Sequence, residues 1–222
     1  MRWIYRLERK LGHNFGISNL MIYVSATMLA IYALDFAGVT GLWWRMMFWR
    51  PLVMAGEVWR IVTFIVLPRF GENPLFALLY MYMIYFIGSG LEYAWGKALL
   101  NIYFFFGVIG AIAAGFISGI GDNGALFLSM LLAYCYINPE ATFLIFFILP
   151  VKAKYIAIFN WAIFAVLFIF GNFSSRLSII FSLINFFFFF GPDIWKRIQR
   201  NYNSSRRRRR YKKNWGNDNP WK

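Results

Sequence analysis

The chain has 222 residues, of which 60% are hydrophobic, 22% aromatic and only 14% charged; these proportions exclude an ordinary soluble domain and point to a multi-spanning membrane protein. The formal charge of +14 is carried unevenly, because eleven of the 23 Lys and Arg residues lie between Lys196 and Lys222, so the excess belongs to the carboxyl-terminal stretch and not to the apolar body. One cysteine, Cys135, excludes an intramolecular disulfide and a cysteine-based metal site, and the one histidine, His13, stands far along the chain from any other chemical group.

Residues 1–16 form a charged segment (Arg2, Arg6, Glu8, Arg9, Lys10). The apolar stretch after them ends without a small-residue cleavage pattern, so it is expected to stay as a first transmembrane helix. Hydrophobic runs predict six helices, over Ile17–Phe36, Leu75–Trp95, Ala98–Ser118, Asn123–Ile137, Tyr155–Phe170 and Leu177–Ile194. The expected fold is therefore an all-α polytopic bundle spanning residues 17–194. Its fourth helix is too short to cross a hydrocarbon core of about 30 Å comfortably, which predicts that it is buried among the others.

The connection 37–74 carries Trp43, Trp44, Trp49 and Trp59 with Arg45, Arg50, Arg60 and Arg69. Indole and guanidinium groups prefer the headgroup layer, so this loop is expected in the interface. Asn138-Pro139-Glu140 ends the fourth helix, and the apolar stretch Thr142–Leu149, too short to cross, is expected to lie flat or half-buried before Pro150. With six crossings, the amino terminus, Lys97, Lys152, Lys154 and the carboxyl tail share one side. The positive-inside rule makes that side cytoplasmic, with both termini inside a cytoplasmic (inner) membrane.

Small residues at Gly107, Ala111 and Gly115 form a stripe that admits a neighbouring helix, and Ser178, Ser182 and Asn185 form a polar stripe on the last helix. Asp122 and Asn123 are suited to cap the fourth helix. Glu92 marks an ion path or ties helix to loop; the second is preferred, because no other acid lies deep in a helix. Residues 195–222, with Arg206, Arg207, Arg208, Arg209, Arg210, Lys212 and Lys213, have too little apolar content to fold and are expected to be disordered. Anionic lipid headgroups are the first expected partner of this tail. Ribosomal RNA is the second, with Tyr211 and Trp215 available for stacking.

Several of these segments resemble the rhomboid superfamily. Gly56-Glu57-Val58-Trp59-Arg60 is similar to its first-loop Trp-Arg motif, and Gly88 to Gly96, with Glu92 at the centre, is similar to the end of its second helix. Gly121-Asp122-Asn123-Gly124-Ala125 stands where its Gly-x-Ser-Gly-Ala motif opens the fourth helix, and Phe146 to Ala153 resembles the stretch leading into its fifth. The resemblance implies a six-helix rhomboid-like fold and, in active members, an intramembrane serine protease. Transferred position by position, the nucleophile falls on Asn123, the oxyanion-supporting pair on Phe76 and Tyr80, and the sixth helix has no histidine.

An amide cannot be deprotonated to attack a carbonyl, and a phenyl ring cannot donate to an oxyanion. Ser129, deeper in the same helix, lacks a histidine or lysine partner. The expectation is a catalytically degenerate pseudoprotease, without cofactor or metal, that binds transmembrane helices of client proteins in a quality-control, chaperone or regulatory role. The alternatives are a protease with unrecognised residues and an insertase or ribosome-associated factor acting through the basic tail. Inverted repeats and a deep ionisable pair, which a transporter would use, are absent from the sequence.

Overall fold

The computed structural model describes residues 16–38, 41–68, 74–145 and 149–217. His13, Arg69 and most of segment 1–16 lie outside them. The chain folds as α1 (Leu20–Phe36), three short helices α2 (Leu42–Met46), α3 (Arg50–Met54) and α4 (Arg60–Thr63), a 3-10 turn (Phe64–Val66), α5 (Pro74–Trp95), α6 (Lys97–Ser118), α7 (Gly124–Ile137), a hairpin β1 (Thr142–Ile145) and β2 (Leu149–Lys152), α8 (Ala153–Phe170) and α9 (Phe173–Asn217). It is a predominantly helical membrane protein. Among the described residues four segments are long and apolar enough to cross a bilayer: α5, α6, α8 and the part of α9 from Phe173 to Lys196. The other two apolar helices are shorter, α1 with 17 residues and α7 with 14.

Helix α7 is the centre of the bundle. Its rise gives it a length of about 21 Å, and α5, α6, α8 and α9 all pack on it. Leu126, Met130, Leu132, Ala133 and Cys135 are buried along it. Glycines at positive φ set the limits of α6, Gly96 (φ 82°) before it and Gly119 (φ 93°) after it, where residues with a Cβ would be strained.

The small-residue stripe of α6 has distinct contacts. A Cβ at Gly107 would strike the side chains of Leu126 and Asn185, and one at Gly115 would strike the Phe48 ring. Gly107 therefore lets α7 and α9 close on α6, while Gly115 receives an aromatic from the long connection. On α9, Ser178, Ser182 and Asn185 are all buried, and the Asn185 amide donates to the Tyr103 carbonyl of α6 at 3.2 Å.

The structure departs from the sequence expectations in three places. The apolar segment after α7, expected to lie flat or half-buried, pairs as a short antiparallel hairpin within a predominantly helical chain; Phe143 pairs with Val151 and Leu144 with Pro150. Pro150 is tolerated because a two-stranded ribbon has free edges that need no donor. Phe143 is buried against Phe86 and Tyr134, which gives the hairpin an apolar face. Connection 37–74 contains α2, α3, α4 and the 3-10 turn, because Arg60 gathers it from within. Its guanidinium is 5% exposed and meets Glu57 Oε2 at 2.6 Å and the carbonyls of Trp44 and Met47 at 2.5 and 2.8 Å. Finally, α9 begins before Leu177 and does not stop at Ile194 but runs to Asn217, where disorder was expected. Arg, Lys and Gln are good helix formers, and a helix already nucleated in the bundle extends without a new nucleation cost.

Gly107→Val should cost about 2 kcal/mol through overpacking, whereas Gly110→Ala, whose Cβ would meet Phe181 at 3.3 Å, should cost less than about 1 kcal/mol; chemical unfolding of the two variants in detergent measures both. At the hairpin, Lys152 and Lys154 bind Glu140 at 2.8 and 3.4 Å, and these contacts hold its carboxyl below its usual titration range. A depressed carboxylate pKa contributes stability that is present above the unfolded value and lost as pH falls through the folded one. Amide exchange of the two strands, Thr142–Ile145 and Leu149–Lys152, should accordingly speed up on acidification through that window, beyond the intrinsic pH dependence, and Glu140→Gln should abolish the extra change.

Candidate functional site

The start of α7 is assembled from two connections. Gly121 N–H donates to Phe48 O at 3.1 Å and Arg50 N–H to Gly119 O at 2.8 Å, so residues 48–50 run antiparallel to 119–121. A Cβ on Gly121 would fall within 2.8 Å of Phe48 Cβ and Cγ, and the missing side chain permits this approach. Asp122 Oδ1 accepts the Gly124 N–H at 3.1 Å. Asn123 stands at the cap position but makes no side-chain cap bond; Asp122 meets that need instead.

The Asn123 side chain turns the other way. It is 4% exposed, and its Nδ2 lies 3.1, 3.0 and 2.9 Å from the carbonyl oxygens of Phe64, Ile65 and Leu67. Two amide hydrogens are thus shared among three acceptors, two in the 3-10 turn and one on the residue after it. The Asn123 amide is a tie between that turn and α7.

The hydroxyl nearest along α7 is also held by its neighbours. Ser129 is fully buried, donates to Leu126 O at 2.8 Å and accepts from the Tyr103 hydroxyl at 3.2 Å. Neither neighbour is a proton acceptor of the kind that activates a serine. Among the described residues no three His, Cys, Asp or Glu side chains come together. Trp59 Nε1 donates to Arg45 O at 3.3 Å, so both members of the Trp-Arg pair fix the connection. Glu92 Oε1 accepts the Asn19 N–H at 2.9 Å and joins the end of α5 to the start of α1.

Two ties were not singled out in the sequence. Asn101 accepts the Ile17 N–H at 3.1 Å and donates to Ile17 O at 2.9 Å, and Asn160 of α8 donates to Leu128 O of α7 at 2.9 Å. A lone asparagine in an apolar helix was the available signal, because hydrocarbon surroundings force such an amide to find a partner in a neighbouring element.

Two hollows meet at this mouth. The first, about 510 Å³, lies between α5 and α8 with α7 as its floor; Phe76, Tyr80 and Met83 line one wall, Phe127 and Leu131 the floor, and Leu167 the other wall. Helices α5 and α8 both pack on α7 but hardly on each other. The lining is almost wholly apolar, Phe76 is exposed, and the Tyr80 ring stands edge-on to Phe127 at 6.3 Å. The second hollow, about 300 Å³, is more polar and is bordered by Trp43, Asp122, Asn123, Asn172, Ser174 and Ser175. Asn123 and Gly124, adjacent in sequence, border one hollow each. Phe76 and Tyr80 therefore stand on the groove wall, while Asn123 borders the polar hollow. The basic residues Arg206 to Arg210, Lys212 and Lys213 belong to the last turns of α9 in sequence, and their side chains lie outside the described ones.

No protein-family model and no curated protein matches the chain. Fold and site define a class in physical terms: a helical membrane protein with an apolar groove opening between two helices, and a polar mouth closed by an amide.

Substitution at Asn123 separates tie from remnant. Asn123→Ala, which strips buried carbonyls of their donor, should lower stability by about 2 kcal/mol. Asn123→Asp should lower it further at neutral pH, since a carboxylate would face three carbonyl oxygens, and acidification should restore part of the loss by protonating it. Unfolding in detergent across pH would show equal stabilities for the wild type and both variants if the amide held nothing.

Proposed function

We propose that the chain is a non-proteolytic, rhomboid-like protein that binds transmembrane segments of other membrane proteins in the groove between α5 and α8. The carrying observation is the groove itself: apolar walls on two helices that barely touch, floored by a short buried helix. An incoming helix exchanges lipid contacts for packing against Phe76, Met83, Leu131 and Leu167, and in a bilayer such packing, not hydrophobic transfer, drives association. The tied amide of Asn123 and the buried, base-free Ser129 support binding without cleavage.

In this reading α1 and α7 complete a six-crossing topology. Helix α1, about 25 Å long by its rise, crosses with help from the residues flanking it. The basic residues at Lys97, Lys152, Lys154 and the end of α9 then share the cytoplasmic side of the inner membrane. The rhomboid resemblance of the loop and helix motifs and the loss of the catalytic positions belong to the same proposal.

A photoreactive amino acid at Phe76, in the groove wall, should crosslink membrane-protein segments in native membranes. Leu167→Trp, which fills the groove, should reduce the yield about tenfold, equivalent to about 1.4 kcal/mol. Recovery of lipid adducts alone, or a yield indifferent to Leu167→Trp, would sink the proposal. Incubation of the purified protein with a fluorophosphonate probe should give no labelling, and labelling at Ser129 would bring hydrolysis back.

A further inference from the structure

The polar hollow beside the start of α7 contains groups that the tie at Asn123 leaves over. Asn123 is 4% exposed and spends its amide hydrogens on the carbonyls of Phe64, Ile65 and Leu67. Its Oδ1 accepts no hydrogen bond among the described residues and, unlike Oδ1 of Asn160 and Asn185, is not sealed inside the bundle. Asn123 borders the hollow of about 300 Å³, so this oxygen is an acceptor held in place by its own amide nitrogen and open to a ligand. An acceptor fixed in poorly solvated surroundings makes a stronger bond than the same group in water. The other lining groups also divide into committed and uncommitted. The Ser174 hydroxyl donates to Ile120 O at 2.7 Å, and Asp122 Oδ1 accepts the Gly124 N–H. The side chains of Asn172 and Ser175 and the Trp43 indole N–H border the same hollow and make no hydrogen bond among the described residues. The uncommitted set is one acceptor (Asn123), two groups that both donate and accept (Asn172, Ser175) and one donor (Trp43), none of them charged.

That set selects its ligand. The described lining holds one carboxylate, Asp122, and no Lys, Arg or His, so a phosphate or carboxylate would meet repulsion without a counter-charge. A peptide strand needs an open backbone edge. The adjoining segments 48–50 and 119–121 spend theirs on each other and on serines: Gly119 O takes the Arg50 N–H, Gly121 N–H goes to Phe48 O, and Ile120 O accepts Ser118 and Ser174. A neutral ligand carrying several donors and acceptors on a small frame matches what is left, and that description fits a polyol. Hydroxyls reproduce the bonds that water makes with such groups. The Trp43 ring, 43% exposed, offers a flat surface on which the C–H face of a sugar ring packs while its hydroxyls point to the amides. The volume stands at the lower limit of small-molecule sites, which suits one ring and excludes an oligosaccharide.

We infer that the hollow between the long connection and the α8–α9 turn binds a neutral polyol the size of one sugar ring. Asn123 Oδ1, Asn172 and Ser175 bond its hydroxyls, and Trp43 packs on its C–H face. A soluble sugar and the headgroup of a glycosylated lipid present this same chemistry. Neither the groove between α5 and α8 nor the number of membrane crossings enters the inference.

The test is saturation-transfer NMR on the full chain in phosphatidylcholine nanodiscs, with methyl β-glucoside, methyl α-mannoside and myo-inositol as probes. Methyl phosphate and N-acetylglycine amide stand as the anionic and peptide comparators. At least one polyol should receive saturation from the protein, and more strongly than either comparator. Trp43→Leu and Asn172→Ala should each weaken that binding about fivefold, and Asn172→Ala should leave the unfolding midpoint unchanged, since its side chain holds nothing in the fold. Ser175→Phe, which fills the hollow, should abolish the signal. Leu167→Trp, in the groove, should leave it unchanged, so a failed crosslink at Phe76 and a failed polyol site are separate results. Monoglucosyl diacylglycerol added to the nanodiscs distinguishes the sources: loss of the probe signal identifies a lipid headgroup, its persistence a soluble polyol, and each supports the inference. Absence of saturation with all three polyols, a comparator signal equal to theirs, affinity indifferent to both Trp43→Leu and Asn172→Ala, or binding that survives Ser175→Phe would each overturn it.

Discussion

Three backbone carbonyls, those of Phe64, Ile65 and Leu67, lie in the long connection, and the side chain of Asn123 meets all of them. A buried carbonyl left without a donor is costly in apolar surroundings, so this amide ties the connection to the start of α7. A hydroxyl would bring one hydrogen to the place, whereas the amide brings two on a planar group. The connection is held from its other side by Arg60, which draws the carbonyls of Trp44 and Met47 together, and by Phe48, which enters the space left by Gly115 and Gly121. Loop, turn and short helix thus form one mechanical unit, and that unit carries the floor of the groove.

The same economy recurs through the bundle. Asn101, Asn160 and Asn185 each reach a backbone carbonyl of another element, and Ser129 and Tyr103 satisfy each other between α7 and α6. In hydrocarbon, polar side chains are costly until paired, so a small number of them can specify which helices are neighbours while apolar packing supplies the area. These residue types carry chemistry in other settings. Here their amide donors hold elements together.

The helices of the bundle were readable because long apolar runs have few alternatives, and the short α7 was readable as buried from its length alone. Where local propensity and burial pulled apart, the sequence was ambiguous. The stretch Thr142 to Leu149 is as apolar as a helix, and only the pairing of Phe143 with Val151, with Phe143 lodged against Phe86 and Tyr134, decides for strands. Asp122 and Asn123 are both good caps by type, and which of them turns outward depends on carbonyls more than fifty residues away. The extension of α9 beyond Ile194 was hidden for the opposite reason: composition without apolar residues implies no core, yet a helix started within the bundle needs none to continue. The groove follows from a contact that is nearly missing, and periodicity records only the contacts a helix makes.

The near-absence of contact between α5 and α8 has a mechanical meaning. Two walls that share a floor but scarcely a seam can part without unlocking an interdigitated core, so the restoring force comes from the acyl chains pressed against them. The width of that slot is then a property of the protein together with its bilayer, and lateral tension or a change in lipid thickness acts on it directly.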